Sequence, residues 1–220
     1  MNKTITMDEA FNYITADKKL MIGGFLGLGG PNTIIDEMLK RGLTDLDIVA
    51  ADTAFSGVGI GRLFAEKRCK KLLVTHIGTN ECTVKQAINK EIDIEFAAQG
   101  TFIRRIRCGG SGIGGFLTKV GMGSLMEEGK EIITVDGEQY LLEKPIRADI
   151  TILGAHTVDK AGNVYLKGCE KNYNVAMAMA SDIVIVEAEN IVECGEIDKE
   201  SIHIPFVYID YIVQGAKNGQ

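Results

Sequence analysis

Proline is scarce in this 220-residue chain, three residues against 26 glycines. Compositionally disordered chains carry both in excess, so that class drops out. Basic blocks are missing as well, and 24 Lys+Arg against 30 Asp+Glu leave a formal charge of −6, a poor match to nucleic acid. No apolar run approaches the ~18 residues a membrane-spanning helix needs. The first ten residues hold Lys3, Asp8 and Glu9 with no apolar stretch after them. No signal peptide is read there, and a cytoplasmic location is expected. Cys69, Cys82, Cys108, Cys169 and Cys194 are odd in number and form no C-x-x-C pair. They read as reduced thiols, neither a disulfide framework nor a zinc site. His76, His156 and His203 stand far apart without an acidic spacing pattern, so no metal is expected. A G-x-S-x-G elbow and a P-loop are both lacking.

What remains is an ordinary globular composition, 45% hydrophobic and 25% charged, at a length that suits one domain or two small ones. Glycine stands out at about 12%, against a usual ~7%. In excess without proline, it points to tight turns, close backbone approaches and ligand loops.

Strand and helix signals alternate along the chain. A first helix is expected within residues 4–15, capped by Thr4 or Thr6 and carrying Phe11 and Ile14 on one side. Apolar stretches at 19–25, 46–50, 70–75, 92–96, 150–153 and 183–186 read as strands. Helices are expected at 34–40, 62–66, 84–89, 101–107 and 174–180; the first of these has Pro31 before it and Gly42 after it. Asp136-Gly137, between alternating residues 132–135 and 139–142, is a two-residue hairpin signal. The fold class expected is α/β: a Rossmann-like open, mostly parallel sheet with helices on both faces and a small antiparallel hairpin inserted near 131–143. No repeat or linker divides the chain, so residues 1–220 are read as a single domain.

Three loops can carry chemistry. Gly23-Gly24-Phe25-Leu26-Gly27-Leu28-Gly29-Gly30-Pro31 lies between a strand and a helix, where open α/β sheets bind ligands. Its glycines admit close backbone approach and the next helix N-terminus favours an anion; equally, they suit tight packing in a βα turn. Residues 109–115 hold five glycines in seven, an entropic cost that demands a reason. The reason is either exposed N–H donors along a ligand channel or a sharp corner against a neighbouring subunit. Gln99, after an apolar strand, either aims its amide at a carboxylate or thioester oxygen or caps the next helix. His76 belongs at a strand tip, near a ligand or as a hydrogen-bonded structural residue; His156 and His203 read as structural. Cys108 abuts Arg107, which can lower a thiol pKa, but no histidine base stands beside it in sequence. Arg104, Arg105 and Arg107 serve either phosphates or surface salt bridges.

Together these segments resemble a known family. Gly23-Gly24-Phe25, three residues, Gly29, one residue and Pro31 match the G-G-F-x-x-x-G-x-P signature of family I CoA-transferase α subunits. Asp52-Thr53-Ala54, His76-Ile77-Gly78-Thr79-Asn80, Gln99-Gly100-Thr101, Arg105-Ile106-Arg107, Gly110-Ser111-Gly112-Ile113-Gly114-Gly115, Glu127-Glu128-Gly129-Lys130, Arg147-Ala148-Asp149 and Lys171-Asn172-Tyr173-Asn174 follow in family order. The resemblance spans about residues 18–213, and residues 76–80 are closer to the acetate/acetoacetate/butyrate branch than to the 3-oxoadipate branch. Departures from the family pattern are Ala16-Asp17 for Asp-Gly, Ala51 for Asn, Ala98 for Pro, Glu81-Cys82 for Pro-Glu and Pro205-Phe206 for Pro-Gly. Ala51, Ala98 and Glu81-Cys82 border the acyl pocket that the resemblance implies.

The resemblance also implies a mechanism. An enzyme carboxylate attacks an acyl-CoA thioester, giving a mixed anhydride and CoA thiolate; the thiolate returns and leaves a glutamyl-CoA thioester, and the acceptor acid reverses the sequence. Each tetrahedral step needs N–H donors for an oxyanion. The nucleophilic Glu is implied on a β subunit, in a Glu-Asn-Gly motif. Here Glu189-Asn190 is followed by Ile191, so no catalytic nucleophile is expected in this chain. Gln99 and Gly100 are the supporting residues implied, and Gly23, Gly24, Phe25, Leu26, Gly27, Leu28 and Gly29 the CoA-facing surface, with the 109–115 loop along the same cleft. The partners implied are a β subunit in an α2β2 assembly, acyl-CoA thioesters and short-chain carboxylates. No permanently bound cofactor, metal, nucleic acid or membrane is expected. The alternative is a stand-alone acyl-CoA or sugar-phosphate binding protein on the same fold without transferase activity.

Overall fold

The computed structural model describes residues 2–216; Met1 and residues 217–220 of the expected domain lie outside the described residues. The chain opens with extended residues rather than a helix. Thr4 bridges Ile212 in parallel, Ile5 N–H donates to Ile212 O at 2.9 Å and Ile212 N–H to Lys3 O at 3.0 Å. Those backbone groups are therefore already paired when the first helix starts. Thr6 caps it: its hydroxyl accepts the Glu9 N–H at 3.2 Å while the Glu9 carboxylate accepts the Thr6 N–H at 2.8 Å. Helix α1 (Met7–Ala10) is a single turn, much shorter than the 4–15 span expected.

Strands and helices then alternate: β1 (Lys19–Ile22), α2 (Asn32–Lys40), β2 (Leu46–Asp52), α3 (Gly61–Ala65), β3 (Cys69–His76), α4 (Glu81–Ile88), β4 (Asp93–Phe96) and α5 (Gln99–Gly110). Three short strands follow, β5 (Phe116–Thr118), β6 (Ile132–Val135) and β7 (Glu138–Glu143). The chain returns through β8 (Ala148–Asp159), β9 (Val164–Tyr165), α6 (Asn174–Met177), β10 (Ser181–Val192) and β11 (Tyr211–Gln214). The main sheet runs β11-β10-β8-β1-β2-β3-β4, parallel at every step, with β9 antiparallel on β8. This is the open, mostly parallel α/β sheet expected. Alternate residues of β1 face opposite cores, as a two-residue period dictates. Met21 packs with Phe102, Ile106 and Met177 under α5 and α6. Leu20 and Ile22 pack with Ile34, Met38, Leu63 and Phe64 under α2 and α3.

Strand order reverses at β1. The chain steps outward through β2, β3 and β4, then β8 takes the other edge of β1. The connections leaving β1 and β8 lead to α2 and α6, on opposite faces, so a crevice opens between them at the carboxyl ends. Strands β8 and β10 are also far longer than the four-residue runs read from sequence. Beyond Ile152 they pair with each other rather than with β1 and project past the sheet edge, where polar residues are admissible and an apolar run is not required.

The Asp136-Gly137 turn is as expected, with φ of +50° and +81°, the geometry that matches strand twist in a two-residue hairpin. β5 adds a third strand in the order β5-β7-β6; three residues carry too little periodicity to be read in advance. Helix α5 runs on through Gly109 and Gly110, which belong to it rather than to the loop expected at 109–115. Gly109 meets the Ile146 carbonyl where a Cβ would stand, and a Cβ on Gly110 would lie 2.8 Å from Met179 Cβ. Close packing accounts for both. Helix α6 is four residues rather than seven.

Helix α2 has no cap of its own, because Pro31 precedes it without a side-chain hydrogen bond. Buried Glu187 of β10 supplies the cap instead, accepting the Thr33 N–H at 3.0 Å and the Ile34 N–H at 2.8 Å. Burial pushes its carboxyl up and those N–H bonds pull it down, with burial ahead. Glu187→Ala leaves two donors and a helix N-terminus unanswered. The expected result is a loss of about 2 kcal/mol in chemical denaturation; an unchanged midpoint would refute the capping role.

Candidate functional site

The loops after β1, β2, β3 and β4 meet the carboxyl edge of the sheet, and the one after β1 is tightly constrained. Phe25 N–H donates to Leu28 O at 2.9 Å and Leu28 N–H to Phe25 O at 3.0 Å. Between them Leu26 and Gly27 take φ of +51° and +84°. This two-residue turn needs a left-handed residue at both centres, which suits Gly27 and costs a leucine ~1–2 kcal/mol. Two buried side chains hold it there. Asp52, at the end of β2, accepts the Leu26 N–H at 2.9 Å and the Ala54 N–H at 2.6 Å, and Ala54 is itself left-handed at φ +49°. Asn174, 1% exposed at the start of α6, accepts the Gly24 N–H at 3.1 Å and donates to Gly29 O at 3.3 Å and Gly154 O at 3.0 Å. Its Oδ1 also occupies the space a Cβ on Gly23 would need. One amide thus clasps both ends of the loop.

The glycine content of residues 23–30 therefore has a packing component on its inner side. Its outer side is a ledge of half-buried backbone from Gly24 to Gly27 with Leu28 exposed at its tip. Phe25 lies partly buried beside Tyr173, their ring centres 6.0 Å apart. Asp52 and Asn174 both fall inside the motifs quoted above, yet the sequence assigns neither a role, because each acts through the backbone of a distant segment.

Gln99 and Gly100 open α5 at the end of β4, and both are exposed. Ala98 is the cap residue and forms no side-chain bond. The Gln99 amide makes no hydrogen bond to any described residue, so it does not cap the helix. Three strand spacings of ~4.8 Å separate β1 from β4, about 14 Å in all, so Gln99 and the ledge share one edge without touching. The loops after β2 and β3 fill the gap. There Asn80, fully buried, caps α4 by accepting the Cys82 and Thr83 N–H groups at 3.1 and 3.2 Å and donates to Thr53 O at 2.8 Å. His76 is half-buried at the tip of β3, paired with Asp52 of β2, and its imidazole has no hydrogen bond among the described residues.

Other candidates move away from the edge. Arg105 is neither a surface residue nor turned to a phosphate. At 8% exposure it donates to Glu95 at 2.6 Å and Lys144 O at 2.8 Å and lies 3.8 Å from Glu143. Lys130, the last residue of the 127–130 motif, reaches the same Glu143 at 2.5 Å. Arg104 and Arg107 are exposed. Cys108 is buried in α5. His203 is structural, as expected: its Nδ1 accepts the Leu166 N–H at 3.1 Å, and burial pushes its pKa down. His156 stands edge-on to Tyr165. No group of three or more His, Cys, Asp or Glu among the described residues is placed to hold a metal, and no described helix is long and apolar enough to cross a membrane.

Comparison with known proteins adds five findings. A family model described as coenzyme A transferase matches residues 4–215. The acetoacetyl-CoA:acetate/butyrate CoA transferase alpha subunit of Clostridium acetobutylicum is 43% identical over 213 residues, 97% of this chain and 98% of that one. The acetate CoA-transferase subunit alpha of Escherichia coli K12 is 41% identical over 211 residues, 96% of each chain. Among solved structures, an acyl-CoA transferase from Escherichia coli O157:H7, a thioester complex with CoA, superposes with a TM-score of 0.86 at 21% identity. It covers all of this chain and 48% of that one. Glutaconate coenzyme A-transferase from Acidaminococcus fermentans gives 0.83 at 18% identity, over 97% of this chain and 76% of that one. At these identities the structural matches speak for the fold.

Proposed function

This chain belongs to the coenzyme A transferase family, as an α subunit, and we propose that it moves CoA between a short-chain acyl-CoA and a free carboxylic acid. Acetyl-, butyryl- and acetoacetyl-CoA are the donors of this reading. It is carried by the near-full-length likeness to α subunits of acetate and acetoacetate CoA-transferases. The motif segments 23–31, 52–54, 76–80 and 99–101 also follow β1, β2, β3 and β4 along one sheet edge. The proposed assembly is an α2β2 complex in the cytoplasm, this chain contributing one domain over residues 1–220, with no resident cofactor or metal.

The chemistry needs a nucleophilic carboxylate, and in this reading the β subunit supplies it. That carboxylate adds to the thioester carbonyl; a C–O bond forms, the C–S bond breaks, and the thiolate leaves with the electron pair. The thiolate then adds to the glutamyl carbonyl of the anhydride, releasing the donor acid and leaving the glutamyl-CoA thioester. The acceptor carboxylate runs both steps in reverse. On this side of the cleft the ledge from Gly23 to Gly29 carries the CoA moiety. Gln99, an exposed amide with both N–H bonds uncommitted, positions the carboxylate oxygens beside Gly100. Binding remote parts of CoA along the ledge helps offset positioning costs at the thioester.

Gln99→Ala in the α/β complex is expected to lower kcat about 100-fold, in the range of a lost oxyanion donor. Assembly and unfolding midpoint should not move, because the side chain has no intramolecular partner. Unchanged kinetics would sink the role. The chain alone should transfer no CoA between acetyl-CoA and a short acid; turnover without a β subunit would overturn the subunit assignment. A lone chain that binds acyl-CoA tightly, with no transfer in any complex, would favour the binding-protein alternative.

A further inference from the structure

The reversal of strand order at β1 leaves a crevice of about 420 Å³ beside the ledge, a volume typical of small-ligand sites. Leu28 and Gly29 form one wall, His156 and Glu189 the other, with Lys167, Cys169 and Glu170 between them. The second wall is the β8–β10 arm that projects past the sheet. Its register, Ala155 with Ala188 and Thr157 with Asn190, sets His156 and Glu189 side by side. Asn190 fixes the arm by donating to His156 O at 3.0 Å.

Glu170 is the built feature of this crevice. It is 8% exposed, and one oxygen, Oε2, accepts the His156 N–H at 3.1 Å and the Lys167 N–H at 2.6 Å. The other oxygen makes no hydrogen bond among the described residues, and Glu170 lines the crevice. The ledge closes directly on this side chain: a Cβ on Gly29 would lie 2.7 Å from Glu170 Cγ. Burial, with the nearby Glu189 charge adding to it, pushes the Glu170 carboxyl up against the pull of its N–H bonds. A carboxyl held this way is a fixed acceptor, suited to an N–H donor.

We propose that this crevice holds the neutral, amide-bearing pantetheine arm of acyl-CoA, with the free oxygen of Glu170 accepting an amide N–H. The inference rests on the reading of the 23–29 ledge as the CoA-facing surface and extends it to the substrate's arm. Glu170 is then a binding residue for the arm, remote from the thioester.

The test uses the α/β complex and two inhibitors that divide CoA, S-methyl pantetheine and adenosine 3′,5′-bisphosphate. Glu170→Gln keeps an oxygen for both backbone N–H groups and turns an NH₂ donor toward the arm. Its expected effect is a pantetheine inhibition constant about tenfold weaker, the size of one mispaired hydrogen bond, with that of the bisphosphate unmoved. Cys169→Phe, at an exposed position that leaves the Glu170 bonds alone, fills the crevice and should produce the same split. An unchanged pantetheine constant in both variants, or equal weakening of both inhibitors, overturns the proposal while normal CoA transfer upholds the underlying reading. A wild-type complex that transfers no CoA overturns the reading and the proposal together.

Discussion

Asn174→Ala is expected to cost the α/β complex about 100-fold in kcat/KM and the fold ~3–5 kcal/mol. The side chain answers three backbone groups, the Gly24 N–H and the Gly29 and Gly154 carbonyls, and is itself only 1% exposed. Each group left bare costs ~1–3 kcal/mol. The activity loss follows from position: Gly24 and Gly29 are the two ends of the ledge, and a shift of ~1 Å in a substrate-facing segment can cost 100-fold. Asn174→Asp separates hydrogen bonding from volume. It keeps the acceptor for Gly24 but faces two carbonyl oxygens with an oxygen, so it should fail about as badly as alanine. Steady-state kinetics and chemical denaturation measure the two losses, and an Asn174→Asp protein with wild-type values in both would refute the clasp.

Arg105→Ala is expected to remove ~3–5 kcal/mol of stability, the toll of breaking a buried ion pair from one side. Glu143 is only 2% exposed and would keep Lys130 alone. Three elements lose a common partner at once, since Arg105 of α5 joins Glu95 of β4, the Lys144 carbonyl and Glu143 of β7. This group ties the three-stranded sheet to the main one. Adding Glu143→Gln to Arg105→Ala removes the orphaned charge and should restore part of the loss. A double variant no more stable than the single one would mean that packing of the arginine stem, rather than charge, sets the cost.

Strand positions in the main sheet were legible because β1, β2 and β3 are buried on both faces and read as apolar runs. The ends were not. Thr4 and Ile5 spend their backbone groups on β11, and Gly154 to Asp159 pair with β10 on one edge and β9 on the other. Neither fact leaves a trace in a local window. The ledge was legible as a glycine cluster, and so was Gln99 as an amide at a strand end. What holds the ledge was not, because Asn174 lies 150 residues from Gly24, and Glu187 lies 154 from Thr33. Gly109 and Gly110 show the opposite failure. A glycine-rich string looks like a loop from composition alone, while the structure uses two of its members where a helix passes within contact of the Ile146 carbonyl and Met179.

The reversal of strand order at β1 also sets a timetable. On the ribosome β1 can pair with β2 as soon as both are out, but β8, its other neighbour, follows roughly 125 residues later, about 6–25 s at ordinary rates of synthesis. For that interval the nascent β1–β4 half-sheet carries a bare edge on its most apolar strand, open to pairing with any extended chain. Delays in translation between residues 22 and 148 should therefore depress soluble yield more than equal delays placed after residue 159.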